Sequence, residues 1–439
     1  MSSENSGEDL LNAVITNDPE RVVWEIKNKA DINYTDSSGN TPLNLAIKSC
    51  HKSIIKALIL GGASPDVPNL EGVTPLMSSL LLCSSDVSKA LLSKSLDLNQ
   101  KDKTLKNLIS YAVIGNDIQS LEILVNKKID LNAKDTEGNS PIFYSCKNGN
   151  PDILNFLIKN GAKLHFANRE LDTPLVVAVK NNFPELVNIL LKNGADIDFK
   201  DKKGSTPLIL ASEANNPLLV STIVKYHADL NEKNNNKESA LSIACNNGNI
   251  EIVQILLRNG CDLNKDLLNI SASKGSIELV RELLEHNADP NEKDEIGNDA
   301  LLCASTSGHI EIVNLLLEKG ANVNSYDHSG ITPLMKASAK GYFEIVKILV
   351  EKGADLTITD NQGYKANTWA SMSGHDEIEN FIKDLLPPVE VPGPLTEEDT
   401  EKEIPKHEVD EVILEDNPSE ENDNPESSDV EPKEEVKSE

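Results

Sequence analysis

The apolar residues of this chain recur in short clusters at helical spacing, and the clusters repeat every 33 residues. In the clearest copy, Leu334 and Ala337 lie on one face of a first short helix, and Ile345, Ile348 and Leu349 form the i, i+3, i+4 stripe of a second. A glycine follows each of these helices, and a polar segment with turn residues precedes the next copy. Each unit is therefore predicted to be a helix, a turn, a second helix and a hairpin-like turn, here called the finger.

The first residues of each copy set the register of the repeat. A Thr or Ser before a Pro can cap a helix that begins at the Pro. The Pro lacks an N–H group, but an N–H at the first helical position has no acceptor within the helix. In this register, twelve units begin at Glu8, Thr41, Thr74, Asn107, Ser140, Thr173, Thr206, Ser239, Asp266, Asp299, Thr332 and Lys365. The step from Ser239 to Asp266 is six residues short, so the unit from 266 is predicted to lack its finger turn. Two interpretations are open: a deletion that leaves the helices stacked, and a notch or bend in the stack.

Two helices of about eight residues are marginal in water by themselves, so each unit must bury its apolar stripe against its neighbours. Stacked layers of Leu, Ile, Val and Ala need few large side chains, which suits a chain with only 4% aromatic residues. The predicted fold class is an all-α repeat solenoid over residues 8–386. Residues 1–7 are predicted to be a disordered N-terminus.

Residues 387–439 differ from the rest of the chain in composition. They hold 20 acidic side chains and four lysines, and so carry −16 of the net charge of −29. Such a segment buries too little apolar surface to offset its chain entropy, and we predict a disordered, acidic, Pro-rich tail. Within it, Val409, Val412, Ile413 and Leu414 form an apolar island at helical spacing. This island is either a chance cluster in a solubilising tail or a docking peptide.

The T-P-L, G-x-x-E-I-V and G-A-D-x-N elements of these units resemble the ankyrin repeat family over residues 8–386. The third element appears, for example, as Gly194-Ala195-Asp196-Ile197-Asp198. The resemblance implies stacked helix-turn-helix units with hairpin fingers, and a non-enzymatic function in binding proteins on the concave face. The His that follows T-P-L in the family is absent from every unit. We therefore expect less firmly tied fingers, at a cost of about 1 kcal/mol for each lost hydrogen bond.

Residues that build the stack recur in every unit, so binding residues are sought among those that vary at first-helix ends and fingertips. Many of these are basic in units 4 to 8, which predicts a locally basic groove and partners with acidic segments, the chain's own tail among them. Two leucines in unit 3 form a candidate apolar hot spot. The candidate partner-binding residues are Lys48, Leu81, Leu82, Lys103, Lys147, Asn148, Arg169, Lys180, Asn181, Lys202, Lys203, Lys237, Asn246 and Asn247.

The sequence leaves several regulatory functions open. A scaffold or adaptor that holds partner proteins is the preferred interpretation. An ankyrin stack with an acidic, Pro-rich tail also resembles the inhibitor-of-NF-κB class, which sequesters transcription factors. A substrate-recruiting subunit of a ubiquitin ligase or kinase complex is a third interpretation. Thr396, Thr400 and Ser428 each have an acidic residue three positions on, the pattern that acidophilic kinases accept, and are candidate phosphorylation sites.

Other classes of function find little support in the sequence. The nucleotide-binding, hydrolase, zinc-protease and calcium-loop motifs are absent, and the six cysteines are scattered. We therefore expect no enzyme activity, no cofactor and no metal. The strong negative charge disfavours nucleic acid as a partner. No apolar run reaches the length of a membrane span or a secretory signal, so we expect a protein of the cytoplasm or the nucleus. We also expect the chain to be a monomer.

Overall fold

The computed structural model describes residues 3–263 and 266–387. Its helices come in pairs, one pair for each predicted unit. The first helices of the units are α1 (Ser3–Ile15), α3 (Pro42–Lys48), α5 (Pro75–Leu82), α7 (Leu108–Ile114), α9 (Pro141–Asn148), α11 (Pro174–Lys180), α13 (Pro207–Glu213), α15 (Ala240–Asn247), α17 (Leu267–Lys274), α19 (Ala300–Ser307), α21 (Pro333–Lys340) and α23 (Ala366–Met372). The second helices are α2 (Pro19–Lys27), α4 (Lys52–Leu60), α6 (Ser85–Leu92), α8 (Ile118–Asn126), α10 (Pro151–Lys159), α12 (Pro184–Lys192), α14 (Pro217–Val224), α16 (Ile250–Arg258), α18 (Ile277–Glu285), α20 (Ile310–Glu318), α22 (Phe343–Glu351) and α24 (Asp376–Leu385).

From unit 2 onward, every first helix starts one residue after the position predicted from the sequence. The capping chemistry explains this agreement. Thr74 Oγ1 accepts the N–H of Met77 at 3.2 Å, and Thr332 Oγ1 accepts the N–H of Met335 at 3.3 Å. A proline at the first helical position follows each of these caps. The predicted all-α repeat solenoid is confirmed.

The prediction that residues 1–7 are disordered is wrong from Ser3 onward, because α1 begins there. Gly7 is buried inside this helix. A Cβ atom at Gly7 would lie 2.5 Å from Cγ of Tyr34, so the helix packs directly on the segment that follows α2. The extra turn is thus stabilised by tertiary packing, which the capping pattern does not show.

First helices pack on first helices along the stack, and second helices pack on second helices. The fifth residue after each cap is always Ala or Ser where first helices meet, and from unit 2 onward these residues are buried: Ala46, Ser79, Ala112, Ser145, Ala178, Ala211, Ala244, Ser271, Ala304, Ala337 and Ala370. Such small side chains let neighbouring helices approach closely. One continuous aliphatic core results, as the low aromatic content predicts.

Each finger is numbered here with the unit whose cap follows it. An Asp or Asn five residues before that cap organises each described finger: Asp36, Asn69, Asp102, Asp135, Asn168, Asp201, Asn234, Asp294, Asp327 and Asp360. Its side-chain oxygen accepts hydrogen bonds from within the turn; Asp327 Oδ1, for example, accepts the N–H groups of Ser329 at 2.9 Å and Ile331 at 3.0 Å. Backbone hydrogen bonds also join neighbouring fingers, such as Leu70 N–H to Ser38 O at 2.9 Å. The fingers are therefore tied together without the family's histidine.

The shortened step before Asp266 leaves the helices stacked, since α15 contacts α17 and α16 contacts α18. Asn269 of α17 donates its Nδ2–H to the backbone oxygen of Asn298 at 3.0 Å, which links unit 9 to the next finger. A cleft of about 770 Å³ lies between Lys237 in the finger of unit 8 and Asp294 in the finger of unit 10. Stacking and a surface notch thus coexist here. Residues 264 and 265 lie outside the described residues.

The described part of the chain ends at Pro387. The disordered tail and the phosphorylation candidates Thr396, Thr400 and Ser428 lie outside it and stay predictions. Within the described residues, no helix combines the length and the apolar character that crossing a bilayer requires.

Candidate partner-binding surface

The fingertips and the C-terminal ends of the first helices form one surface, here called the finger face. Lys180, the last residue of α11, shows how its parts meet. Its Nζ lies 2.6 Å from Asp172 Oδ1 in the finger of its own unit and 3.1 Å from Asp201 Oδ2 in the finger of the next. In unit 11, Lys336 Nζ, from the middle of α21, lies 3.1 Å from Asp327 Oδ2. First helices and fingers are thus joined by side-chain contacts.

All fourteen candidate residues predicted from the sequence are exposed on this face: Lys48, Leu81, Leu82, Lys103, Lys147, Asn148, Arg169, Lys180, Asn181, Lys202, Lys203, Lys237, Asn246 and Asn247. Three of them come together in one cleft of about 220 Å³, which Lys147, Lys180 and Asn181 line. Glu137 and Asp172 line the same cleft. The lining of this cleft therefore contains both cations and carboxylates.

The prediction of a locally basic groove needs correction at Lys180 and Lys202. Lys202 Nζ lies 3.4 Å from Glu170, so both lysines have carboxylate partners. Burial alone lowers the pKa of Lys180, but the hydrogen bonds to Asp172 and Asp201 outweigh this effect and raise it. Among the candidate cations, Lys48, Lys103, Lys147, Arg169, Lys203 and Lys237 form no ion pair with another described residue. The sequence could not show the pairs Lys180–Asp201 and Lys202–Glu170, because each of them joins neighbouring units.

Two of the candidate asparagines connect neighbouring units. Asn148 donates its Nδ2–H to the backbone oxygen of Ile114 at 3.1 Å, and Asn247 does the same to Ser212 at 3.3 Å. Each acceptor lies at the end of the preceding first helix, where backbone oxygens lack intrahelical donors. These two asparagines therefore stabilise the stack, a function that the sequence analysis missed.

Glu213 lies at the end of α13 on the finger face. Its partial burial raises the pKa of the carboxyl group above its ordinary value, Asp201 and Glu238 raise it further, and nearby Lys203 only partly offsets these effects. A raised folded-state pKa means that the charged carboxylate destabilises the fold at neutral pH, and that this penalty disappears as the pH falls through the folded-state pKa.

We therefore expect Glu213→Gln to increase the free energy of unfolding at pH 7. The gain over the unmodified chain should shrink at pH 4, because the wild-type carboxyl group then takes up its proton more readily in the folded state. Urea unfolding of both proteins at the two pH values measures the difference. An equal gain at both values would show that the charge of Glu213 is not its cause.

The finger tips differ in one position two residues before the cap. Seven fingers have glycine there at positive φ: Gly39, Gly72, Gly138, Gly204, Gly297, Gly330 and Gly363. Leu105 (φ 66°), Leu171 (φ 59°) and Lys237 (φ 65°) adopt the same left-handed conformation with a side chain. Such a conformation costs roughly 1–2 kcal/mol for a residue with a Cβ atom.

The strained leucines are also exposed. Leu105 is 47% exposed and Leu171 is 48% exposed, so neither gains from burial in the stack. Leu70 at the tip of the adjacent finger is 61% exposed, and Leu81 and Leu82 at the end of α5 are 37% and 47% exposed. Units 3 to 6 thus place several apolar side chains on the finger face beside Lys103 and Arg169. The sequence shows glycine two residues before the cap in most units and another residue there in a few. This difference is the signal that identifies Leu105 and Leu171.

The described residues hold no group of three or more His, Cys, Asp or Glu side chains placed to bind a metal ion.

In comparisons with known proteins, a family model of ankyrin repeats in three copies matches residues 10–102, 108–201, 175–267 and 263–327, and a second model of many copies matches residues 304–366. An ankyrin repeat protein of fowlpox virus (strain NVSL) is 33% identical over 84 residues, which are 19% of this chain and 25% of the viral protein. The match thus spans a quarter of that relative.

Proposed function

The chain belongs to the ankyrin repeat family, whose repeats are generally protein–protein interaction modules, and we propose that it is a scaffold that binds partner proteins on the finger face of units 3 to 6. The observation that carries this proposal is the strain at Leu105 and Leu171. Glycine adopts this conformation without the strain of a Cβ atom, and seven other fingers have glycine there. A partner that buries the two leucines compensates for this cost.

The surroundings of the leucines define the chemistry of the partner. Lys103 lies two residues before Leu105, and Arg169 lies two residues before Leu171. Neither cation forms an ion pair with another described residue, so each is free to meet a carboxylate. The segment that fits is therefore acidic and carries apolar side chains. Apolar groups at the centre supply affinity, and the flanking charges orient the segment and speed its association.

Replacing both leucines by glycine tests the proposal. We expect affinity for a captured partner to fall about tenfold for each leucine lost. The same change should stabilise the fold by roughly 0.5 to 1 kcal/mol, because the relief of strain exceeds the added entropy of the unfolded chain. Quantitative affinity capture with the full-length chain, followed by titration of each captured protein, gives the first value, and urea unfolding gives the second.

Lys29→Gly is the matched control, since Lys29 after α2 has φ 63° and the change relieves the same backbone strain without altering the finger face. It should gain stability and keep the affinity. Leu218→Ser removes an exposed leucine from the second helix α14 and should keep the affinity as well. Equal binding by the double-glycine variant and the unmodified chain would contradict the proposal.

A further inference from the structure

The second helices of units 2 and 3 enclose a groove of about 400 Å³. Ile55 and Ile59 of α4 and Val87 and Ala90 of α6 line its apolar part, and Leu60 stands at its rim. We call this the outer groove. It lies on the second helices, whereas the finger face is made of fingers and first helices. It is therefore a separate surface from the one proposed above.

Comparison among the twelve units shows that Leu60 is out of pattern. It is 76% exposed. The residue at the same position in every other unit is polar or charged: Lys27, Ser93, Asn126, Lys159, Lys192, Lys225, Arg258, Glu285, Glu318, Glu351 and Asp384. The repeat thus prefers a hydrophilic residue at this point of the second helix, and unit 2 replaces it with a leucine that the fold does not bury.

Leu96, just after α6, is a second exception. Most other units place a small residue there and several bury it, such as Ala63 at 2% exposure and Ala162 at 8%, whereas Leu96 is 97% exposed. Asp66 holds the loop in this form, since its carboxylate accepts hydrogen bonds from Ser95 Oγ and Leu96 N–H, both at 2.7 Å. Lys94 Nζ reaches the backbone oxygen of Ile59, so the ends of α4 and α6 are joined here. Leu60 ends α4 and Leu96 follows α6, so both exposed leucines lie near these joined helix ends. Exposed apolar patches mark interaction sites.

The charges along the groove are also unfavourable for the isolated fold. Lys52 and Lys56 line it together with one described carboxylate, Asp86. The two lysines are four residues apart on one helix face and repel each other. Lys52 is also the first residue of α4, where the helix dipole disfavours a cation. Neither lysine forms an ion pair with another described residue. Both can therefore pair with the carboxylates of an acidic ligand.

We infer that the outer groove binds residues 408–416 of a second copy of this chain. This segment, EVDEVILED, places Val409, Val412 and Ile413 at i, i+3, i+4 spacing and carries acidic residues on both sides of them. As a two-turn helix, it offers an apolar stripe to the groove and carboxylates to Lys52 and Lys56. The groove length from Lys52 to Leu60 is about 12 Å along the helix axis, which matches two helical turns. Apolar helices that lie in apolar grooves are a common mode of peptide recognition.

Chain length favours a second copy over the same chain. The 22 residues from Pro387 to Val409 span at most about 75 Å, and their root-mean-square reach is about 26 Å. Nine unit steps of about 8 to 10 Å separate unit 3 from unit 12, which amounts to roughly 70 to 90 Å. Self-docking would require an almost fully extended connection, whereas a second molecule has no such restriction. Two copies can therefore exchange tails, in place of the monomer expected from the sequence.

The test uses the full-length chain in sedimentation velocity at low salt over a range of concentrations. We expect the unmodified chain to show a sedimentation coefficient that rises with concentration. Leu60→Ser in the groove and Ile413→Asp in the tail should each weaken self-association at least about tenfold. A mixture of these two variants should associate again, because one supplies an intact tail and the other an intact groove. Leu218→Ser, which removes an exposed leucine outside the groove, should behave like the unmodified chain.

A labelled peptide of residues 405–418 gives a second measurement. It should bind the full-length Ile413→Asp chain, and adding Leu60→Ser should weaken this binding about tenfold. The inference is overturned if the unmodified chain stays monomeric at every concentration, or if Leu60→Ser associates as strongly as the unmodified chain. It is also overturned if the mixture associates no more strongly than either variant alone, or if Ile413→Asp associates as strongly as the unmodified chain, since another surface would then join the copies. None of these results bears on Leu105 and Leu171, so the finger-face proposal is tested separately.

Discussion

Replacing Gly115 with alanine is expected to destabilise the stack by about 3 kcal/mol, at the upper end of the usual cost of overpacking. Gly115 follows α7 with φ −82°, so its backbone conformation suits any residue. The space around it does not. A Cβ atom would lie 2.0 Å from the backbone oxygen of Leu80 and 2.8 Å from Cα of Leu81. Since both are backbone atoms, no side-chain rotation relieves the overlap, and α5 and α7 must move apart.

Urea unfolding of the full-length chain measures the loss, and hydrogen exchange locates it. Exchange should accelerate first in units 3 and 4, because each unit of a repeat stack depends on its neighbours. Gly161→Ala is the control: Gly161 has φ 92° and no other atom near the added Cβ. It should cost about 1 kcal/mol through backbone strain alone. If the two variants lost the same stability, the close approach of α7 to α5 would be contradicted.

The close approach at Gly115 also bears on binding. It brings the end of α7 against the end of α5, where Leu81 and Leu82 remain partly exposed. The apolar part of the finger face is thus built on a tight contact between two backbones. A substitution that moves these helices apart should therefore reduce both partner affinity and stability. Glycine at Leu105 and Leu171, in contrast, should reduce affinity and increase stability.

Much of the fold was predictable because its signals are local. Thr332 and Pro333 start a helix by capping and by a preset backbone angle, and Gly341 ends it in a left-handed conformation, φ 76°. All three act within a few residues of themselves. Repeating the pattern along the chain then fixes the stacking, since each unit has only its neighbours against which to bury its apolar stripe.

The charge and hydrogen-bond partners of the finger face were not predictable in the same way. Lys180 is paired with Asp201, 21 residues away, and Asn148 binds the backbone of Ile114. These contacts depend on how one unit lies on the next, which no local pattern encodes. Leu105 and Leu60 are an intermediate case. The repeat register marks each as an exception, but only the backbone angle of Leu105 and the exposure of Leu60 show that the exception has a cost.

Replacing Asp201 with alanine is the second change with a large expected effect, a loss of about 2 to 3 kcal/mol. Asp201 is 5% exposed. Its Oδ1 accepts the N–H groups of Lys203 at 2.9 Å and Ser205 at 3.0 Å, and its Oδ2 pairs with Lys180 at 3.1 Å. Alanine leaves the N–H of Ser205 without this acceptor in a residue that is fully buried, while water can reach the exposed Lys203. The unpaired buried group accounts for most of the cost.

The chain itself supplies the control, because units 3, 6 and 8 use asparagine at the position of Asp201. Asn168 Oδ1 accepts the equivalent N–H groups of Glu170 at 3.0 Å and Asp172 at 2.9 Å. Asp201→Asn should therefore keep the finger and lose only the ion pair to Lys180, which retains Asp172, at a cost below about 1 kcal/mol. Urea unfolding should rank the unmodified chain above the asparagine variant and both above the alanine variant, with faster amide exchange at Ser205 in the last alone. Equal losses in the two variants would mean that the charge of Asp201, and not its hydrogen bonds to the turn, holds the finger in place.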